Sequence, residues 1–476
     1  METALGVLSE QECPRIHEES LKILWETGIR VDTEKGRNYL KQGGASVDED
    51  KNLVHIPAGL VEESLKVAPK KFSLSGRRPE RKIALGEGEC AVVMDGGAVY
   101  TYDTEVKVRR PATLDDWYLA TQLGDCMDEI DVYWSAVEGC WGNSAGDTVA
   151  YWKAVFQNFS KHVQDATVSP EQSRWMLEVL QVIFGSREEF RKTYPMSFLL
   201  CPASPLMIEA EYTDAYLETL DWGIPVAVMT MPMYGLSAPA SLISELMLAN
   251  CETLAMLCLV QSAAPGTPFI YAAIPVVADM RTGRYGSGEV ENSLFGAAVT
   301  EMARFYQLPV EASAGGSDHS IPGIQSAYER ALNFSLPILA KPDLLVAPGL
   351  LGGSTIFSPE QLMIDLEVIR RCKRLSQGIG SGTEKWLRDV IDTVGSGGNY
   401  LSQRSTRKAA RSGEIYYSNM GIHCTYDQWM HSGSPDMLAS IREEIKTRLS
   451  DRKPWPLPDE VEKELNLLEK KARLSE

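Results

Sequence analysis

From about residue 88 to 375 the chain alternates short β-branched or apolar runs with longer stretches whose apolar residues recur at helical spacing. Eight such runs fall near 90 to 102, 131 to 137, 161 to 166, 195 to 201, 225 to 231, 268 to 274, 309 to 314 and 344 to 348. Each is followed by a predicted helix, near 113 to 127, 145 to 160, 170 to 185, 208 to 222, 239 to 264, 289 to 307, 324 to 340 and 359 to 374. Ser169-Pro170-Glu171-Gln172 and Ser358-Pro359-Glu360-Gln361 each combine an N-cap Ser, a first-turn Pro and a capping-box Gln, so they start helices. Eight consecutive strand-helix units predict an α/β fold, a closed parallel TIM (β/α)8 barrel. The rival, an open doubly wound sheet, usually shows a GxGxxG turn after its first strand, and none follows the early strands here. Asp95-Gly96-Gly97 interrupts the first run, leaving open a hairpin outside the barrel at that point.

The flanks read differently. Residues 1–87 are expected to form a helical N-terminal extension, because Ile16, Ile23 and Leu24 share one helical face and Gly28 supplies a stop. Residues 88–378 then form the catalytic barrel domain, and 379–476 a C-terminal helical extension with a charged tail that suits packing or oligomerisation. The most apolar long segment, 241 to 264, carries Glu245, Asn250 and Glu252, which favours a buried helix over a membrane span.

Charge narrows the partners. With 47 basic and 65 acidic residues the net charge is -18, which disfavours nucleic acid and anionic membrane and suits a cationic ligand. Nine cysteines form no CxxC pair, and the six histidines include no HExxH, so neither disulfides nor metal catalysis is expected. No basic region followed by an apolar run opens the chain; a cytoplasmic protein with reduced thiols is the expectation.

In a parallel barrel the chemistry sits at the carboxyl ends of the strands. Beyond the seventh run, Gly315-Gly316-Ser317-Asp318-His319 offers backbone that can approach a ligand, a carboxylate and a titratable ring. The same residues also make an ordinary turn followed by a helix cap, and the sequence leaves both readings open. The other strand ends contribute Tyr100, Tyr102, Glu138, Trp141, Asn143, Asp165, Tyr234, Arg281 and Phe357, with no Lys placed to form a Schiff base. Rings converging with few cations suit a fixed positive charge, each face attracting a quaternary ammonium by roughly 0.5 to 2 kcal/mol. Taken singly, each ring also fits core or rim packing.

Four segments carry a resemblance: Leu199-Leu200-Cys201-Pro202-Ala203-Ser204-Pro205-Leu206, Phe305-Tyr306-Gln307-Leu308-Pro309, Ser358-Pro359-Glu360-Gln361-Leu362 and Val394-Gly395-Ser396-Gly397-Gly398-Asn399-Tyr400-Leu401. Together they resemble the trimethylamine:corrinoid methyltransferase family over nearly the whole chain. That resemblance implies a TIM barrel that moves a methyl group from an amine to the cobalt of a corrinoid (cobalamin) held by a cognate partner protein. It further implies that the trimethylamine enzymes carry pyrrolysine where this chain has Gly316, which is similar to the branch that lacks pyrrolysine and includes glycine betaine methyltransferases.

The expectation that follows is methyl transfer from a quaternary amine, glycine betaine first, to cobalt(I). A quaternary nitrogen already bears the charge that makes the departing amine neutral, so Gly316 in place of a reactive residue would open volume for a larger donor. Asp318 would balance the ammonium, Tyr100, Tyr102, Trp141, Tyr234 and Phe357 would cage it, and His319, Arg281 or the backbone amides near Gly316 would receive a carboxylate. No DxHxxG signature is found, so the corrinoid is expected on a partner rather than on this chain, which is expected to be a homo-oligomer. Alternatives are the same reaction on carnitine, proline betaine or γ-butyrobetaine, a non-catalytic quaternary-amine-binding protein, and a metal-dependent barrel hydrolase.

Overall fold

The computed structural model of the chain describes residues 6–104, 106–418 and 420–475. Eight parallel strands, Ala91–Val93, Ile130–Tyr133, His162–Asp165, Met196–Leu200, Val226–Val228, Phe269–Tyr271, Glu311–Ser313 and Leu344–Val346, pair in sequence order. The last pairs back onto the first, Leu345 opposite Val92, and a bridge between Tyr271 and Val310 closes the remaining seam. The chain is therefore a (β/α)8 barrel. Helices follow the strands at Leu114–Cys126, Ala145–Asn158, Pro170–Phe184, Ala210–Leu217, Leu242–Ala263, Glu291–Phe305, Ile324–Ala340 and Pro359–Ser376. Both Ser-Pro starts cap as the sequence predicts, Ser169 Oγ accepting from Gln172 N and Ser358 Oγ from Gln361 N.

One predicted strand is divided. The run read as 90 to 102 holds the barrel strand Ala91–Val93, then a turn, then Tyr100–Asp103, which pairs antiparallel with Val108–Pro111 outside the barrel. Gly96 and Gly97 make the break, Gly97 at φ +97°, a backbone that favours glycine. Tyr100 and Tyr102 therefore stand on a hairpin, joined through Ile356–Phe357 into a four-stranded sheet beyond the first and eighth barrel strands.

Inside the barrel, Ala91, Val93, Val132, Leu199, Ala227, Ile270, Leu344 and Val346 pack with Leu74, Ile83 and Leu85 of a hairpin that precedes the first strand. This hairpin stoppers the amino end, leaving the carboxyl end for chemistry. Around the outside, helices Glu12–Glu26, Glu34–Gln42 and Ala58–Val67 all pack on Leu242–Ala263. That helix is the one among the described residues long and apolar enough to cross a bilayer, and it is sandwiched between the barrel and the N-terminal helices. Its apolar residues run all round because both sides are covered. At the other terminus, Met437–Ser450 packs on Pro359–Ser376 and Leu114–Cys126, and Asp459–Leu474 on Ala145–Asn158 and Pro170–Phe184.

Candidate active site

At the carboxyl end, the loops after the second, third and fourth strands enclose an open cavity of about 360 Å³. Its rings are Trp134, Trp141, Tyr151, Trp152 and Tyr212, and its carboxyl groups are Glu138 and Asp165. The loop Trp134–Asn143 is held from beside it: Gly97 N donates to Ser135 O at 3.2 Å, Ala98 N to Ala136 O at 3.2 Å and Glu138 N to Ala98 O at 2.9 Å. Trp134 lies flat on Gly96, where a Cβ would come within 2.3 Å of the indole. Trp141 meets Trp117 edge-on at 5.1 Å and Tyr151 at 5.6 Å, and Trp117 is anchored by its Nε1–H donating to Ser135 Oγ at 3.1 Å. The rings are thus fixed by packing behind them, while the Trp141 Nε1–H is buried without a hydrogen-bond partner. Such an orphan donor beside a cavity is what a ligand would satisfy.

The electrostatics are one-sided. Asp165, ending the third strand, accepts from Tyr151 Oη and from Ala166 N, yet burial pushes its carboxyl up to about 7, with the nearby charge of Glu138 adding to the rise. Glu138 stands at the lip, where its side chain meets cavity solvent but the surrounding walls still raise its pKa. Lower in the barrel, Glu311 accepts from Gln164 Nε2 at 2.7 Å across from the third strand, and burial raises it to about 7, its other oxygen unpartnered. Burial of the thiol, then the charges of Glu311 and Glu138, raise Cys201 to about 12, although the residue as a whole is exposed. Among the described lining residues none is Lys, Arg or His. A bound cation would stabilise these carboxylates and lower their pKa values.

The loop after the seventh strand, singled out from sequence, is arranged differently. Ser317 Oγ donates to Glu329 Oε2 at 2.6 Å, Gly316 N to Ser287 O at 2.7 Å, and Ser287 Oγ to Asp318 Oδ1 at 3.2 Å. Beneath it, the fully buried Arg330 donates to the carbonyls of Gly315 at 2.9 Å, Ala347 at 2.8 Å and Leu350, and its Nε lies 3.5 Å from Asp365 Oδ2. One guanidinium on a barrel helix thereby ties the loops after the seventh and eighth strands together. Close by, burial raises the Asp95 carboxyl to about 6 in spite of Arg330.

Of the nine residues given site roles from sequence, Trp141 is the one among the described lining residues of the 360 Å³ cavity, which it shares with Glu138, Asn143 and Asp165, named from sequence only as strand-end residues. Tyr234 faces a separate pocket of about 350 Å³ with Asp279, Met280 and Glu289. Phe357 is 1% exposed and belongs to the core, so it caps nothing in the mouth. Tyr100 has its face covered by Arg109 at 4.2 Å, and Tyr102 lies beside it on the same hairpin. Arg281 projects into solvent and pairs with Asp279 at 2.8 Å. Asp318 is exposed, and His319 Nδ1 lies 2.8 Å from the Ile321 carbonyl. Gly316 opens no volume: a Cβ there would meet Ser287 Cβ and Oγ at 3.0 Å.

Sequence reading missed Trp134, Tyr151 and Tyr212 as site residues. Trp134 sat inside a predicted strand, and Tyr151 and Tyr212 inside predicted helices, where an aromatic reads as core. Glu138 and Asp165 were visible as strand-end carboxyls but lacked any sign of their pairing across space. A larger groove of about 1010 Å³ opens at the amino end, lined by residues such as Lys70, Arg304, Lys341 and Lys373, on the face that barrels use for stability. Among the described residues no group of three His, Cys, Asp or Glu side chains is placed to hold a metal.

A sequence profile of the trimethylamine methyltransferase family matches residues 2–474. The chain is 29% identical over 457 residues to a trimethylamine methyltransferase of Desulfitobacterium hafniense, covering 96% of this chain and 92% of that protein. It is 28% identical over 429 residues to a glycine betaine methyltransferase of the same species, covering 89% and 88%. The solved monomethylamine methyltransferase of Methanosarcina barkeri superimposes at a TM-score of 0.48 with 10% identity, covering 92% of this chain and 93% of that one.

Proposed function

The chain belongs to the trimethylamine methyltransferase family, and from that premise we propose that it takes a methyl group from a quaternary ammonium compound seated in the Trp141 cavity and passes it to the cobalt(I) of a corrinoid on a separate partner protein. The observation that carries this reading is an open cavity walled by fixed aromatic rings whose carboxyls, Asp165 and Glu138, have no cationic partner among the residues lining it. Aromatic faces and buried carboxylates both favour a permanent cation.

The chemistry requires little of the protein. The bond from methyl carbon to nitrogen breaks with its electron pair going to nitrogen, which leaves as a neutral tertiary amine. The new bond to carbon is made by the electron pair of cobalt(I), which is formally oxidised to cobalt(III). Trp134, Trp141, Tyr151 and Tyr212 hold the nitrogen and aim one methyl outward. The carboxylates stabilise the ground-state cation, so their role is binding and orientation.

Glycine betaine is one donor of this class, and carnitine, proline betaine and γ-butyrobetaine are others. The corrinoid protein would cover the strand-end face during transfer, and exposed Ile379, Trp386 and Leu401 in the C-terminal extension offer apolar surface for contacts with another chain. The test incubates the purified protein with cob(I)alamin and a panel of quaternary and tertiary amines, following the visible spectrum of the cobalt. Methylcobalamin formed from a quaternary amine is the expected result; a panel in which every quaternary donor leaves cobalt(I) unmethylated removes the reading.

A further inference from the structure

We propose that the donor for which the Trp141 cavity is built carries no carboxylate, its remaining arm being alkyl or hydroxyalkyl, as in tetramethylammonium or choline. The inference rests on the reading above for the cavity being the donor's seat, and it deepens that reading by naming the class of donor.

The cavity lining is the first support. A betaine brings a carboxylate a few bonds from its ammonium, and a site that selects it needs an anion partner. Among the described lining residues none is Lys, Arg or His, whereas Asp165 and Glu138 both present carboxyl groups. Glu311 adds a third beneath, close enough to Cys201 for its charge to act on that thiol. Above pH 7, where Asp165 is ionised, a substrate carboxylate would sit beside a like charge with no cation in the lining to offset it.

The cations that sequence offered for a carboxylate lie elsewhere. Arg281 is on the tip of the Ala278–Asp279 and Arg284–Tyr285 hairpin, 84% exposed and already paired with Asp279. His319 is turned to the Ile321 carbonyl on the loop after the seventh strand. Neither lines the cavity.

The neutral donors point the same way. Thr148 Oγ1 donates to Ser144 O at 2.9 Å, and Gln172 Nε2 donates to Asn143 O at 3.5 Å while its Oε1 accepts from Val168 N at 3.0 Å. Among the described lining residues the Trp141 Nε1–H is the donor that is buried and unpartnered, while Asn143 and Tyr212 stand exposed at the rim. One neutral N–H suits one hydroxyl oxygen, and a hydroxyl can in turn donate to a carboxylate such as Asp165, which a substrate carboxylate cannot do. An alkyl arm instead fills the ring-lined space by contact alone.

The test measures binding and transfer separately on the full-length protein. Tryptophan fluorescence titrations with choline, tetramethylammonium and glycine betaine are expected to give Kd values lower for the first two by on the order of tenfold or more. In the Asp165→Asn, Glu138→Gln double variant, checked for folding by circular dichroism, the gap should narrow, with choline binding more weakly and glycine betaine no worse. Glycine betaine binding as tightly as choline to the native protein, or neither compound binding, would overturn the inference. Methyl transfer to cob(I)alamin is scored with the same three compounds. Preferential choline binding with no transfer from any of them would sink the enzymatic reading while leaving the ligand class standing.

Discussion

Two walls of the barrel mouth carry polar groups, and they differ in what those groups face: protein on one side, where Arg330 Nε and Asn333 Oδ1 stay without hydrogen-bond partners inside the packing, and an open cavity on the other. After the seventh strand, Ser317, Gly316 and Ser287 donate to neighbouring protein atoms, and Arg330 pins the loops from below. Across the mouth, after the second to fourth strands, the Trp141 Nε1–H has no partner, and burial holds two carboxyls above their ordinary pKa with no cation in the lining to offset it. Buried polar groups are normally paired, so a wall that leaves them unpaired around an open cavity is the wall that awaits a ligand. The wall richest in polar residues by sequence is therefore packed into the protein, and the wall that reads as aromatic filler is the one we propose for binding.

The largest effect should come from the structural wall. Arg330→Ala leaves Asp365 buried without its ion-pair partner and frees three carbonyls, and is expected to lower unfolding stability by about 3–5 kcal/mol in a urea titration. A change below about 1 kcal/mol would mean the two walls are not divided in this way. Trp141→Ala removes a ring and the orphan donor, and should weaken binding of a quaternary ammonium by on the order of tenfold. Unaltered affinity there would erase the contrast.

A pH profile sharpens the comparison further. Asp165 is raised from 3.8 to about 7, so the native protein favours its protonated form, and a bound cation favours its carboxylate. Binding should release a proton near and below neutrality, and affinity should climb by up to about tenfold per unit until pH 7 and then level. The same shift makes Asp165 contribute most to folding below pH 4 and lose that contribution as pH rises through 7. Calorimetry in two buffers of different ionisation heat reads the proton release, and a flat profile between pH 5 and 8 would contradict it. The smallest effect is expected for Asp318→Ala, an exposed side chain outside the cavity, with Kd and kcat/KM unchanged within about twofold.

The barrel was legible because its signals are local. Helix starts at Ser169 and Ser358 are set by a side chain reaching three residues on, and the eight strand-helix alternations appear in order along the chain. The split of the first strand was legible as an alternative through Asp95-Gly96-Gly97, and the cavity through Trp141 and the strand-end residues Glu138, Asn143 and Asp165. Tyr151 and Tyr212 could not be found this way, since their helices present them to the mouth only after the barrel has closed.

The amino-acid order alone determined the eightfold repeat, the caps, the acidic balance and the family likeness, all of which depend on composition or on residues within a turn or two of each other. Tertiary structure alone decided which polar groups found partners. Arg330 reaches three carbonyls 15, 17 and 20 residues away, and Glu311 meets Gln164 from 147 residues off. A donor or acceptor becomes available for substrate only when the folded chain fails to satisfy it, and that balance exists nowhere until the strands have closed around it.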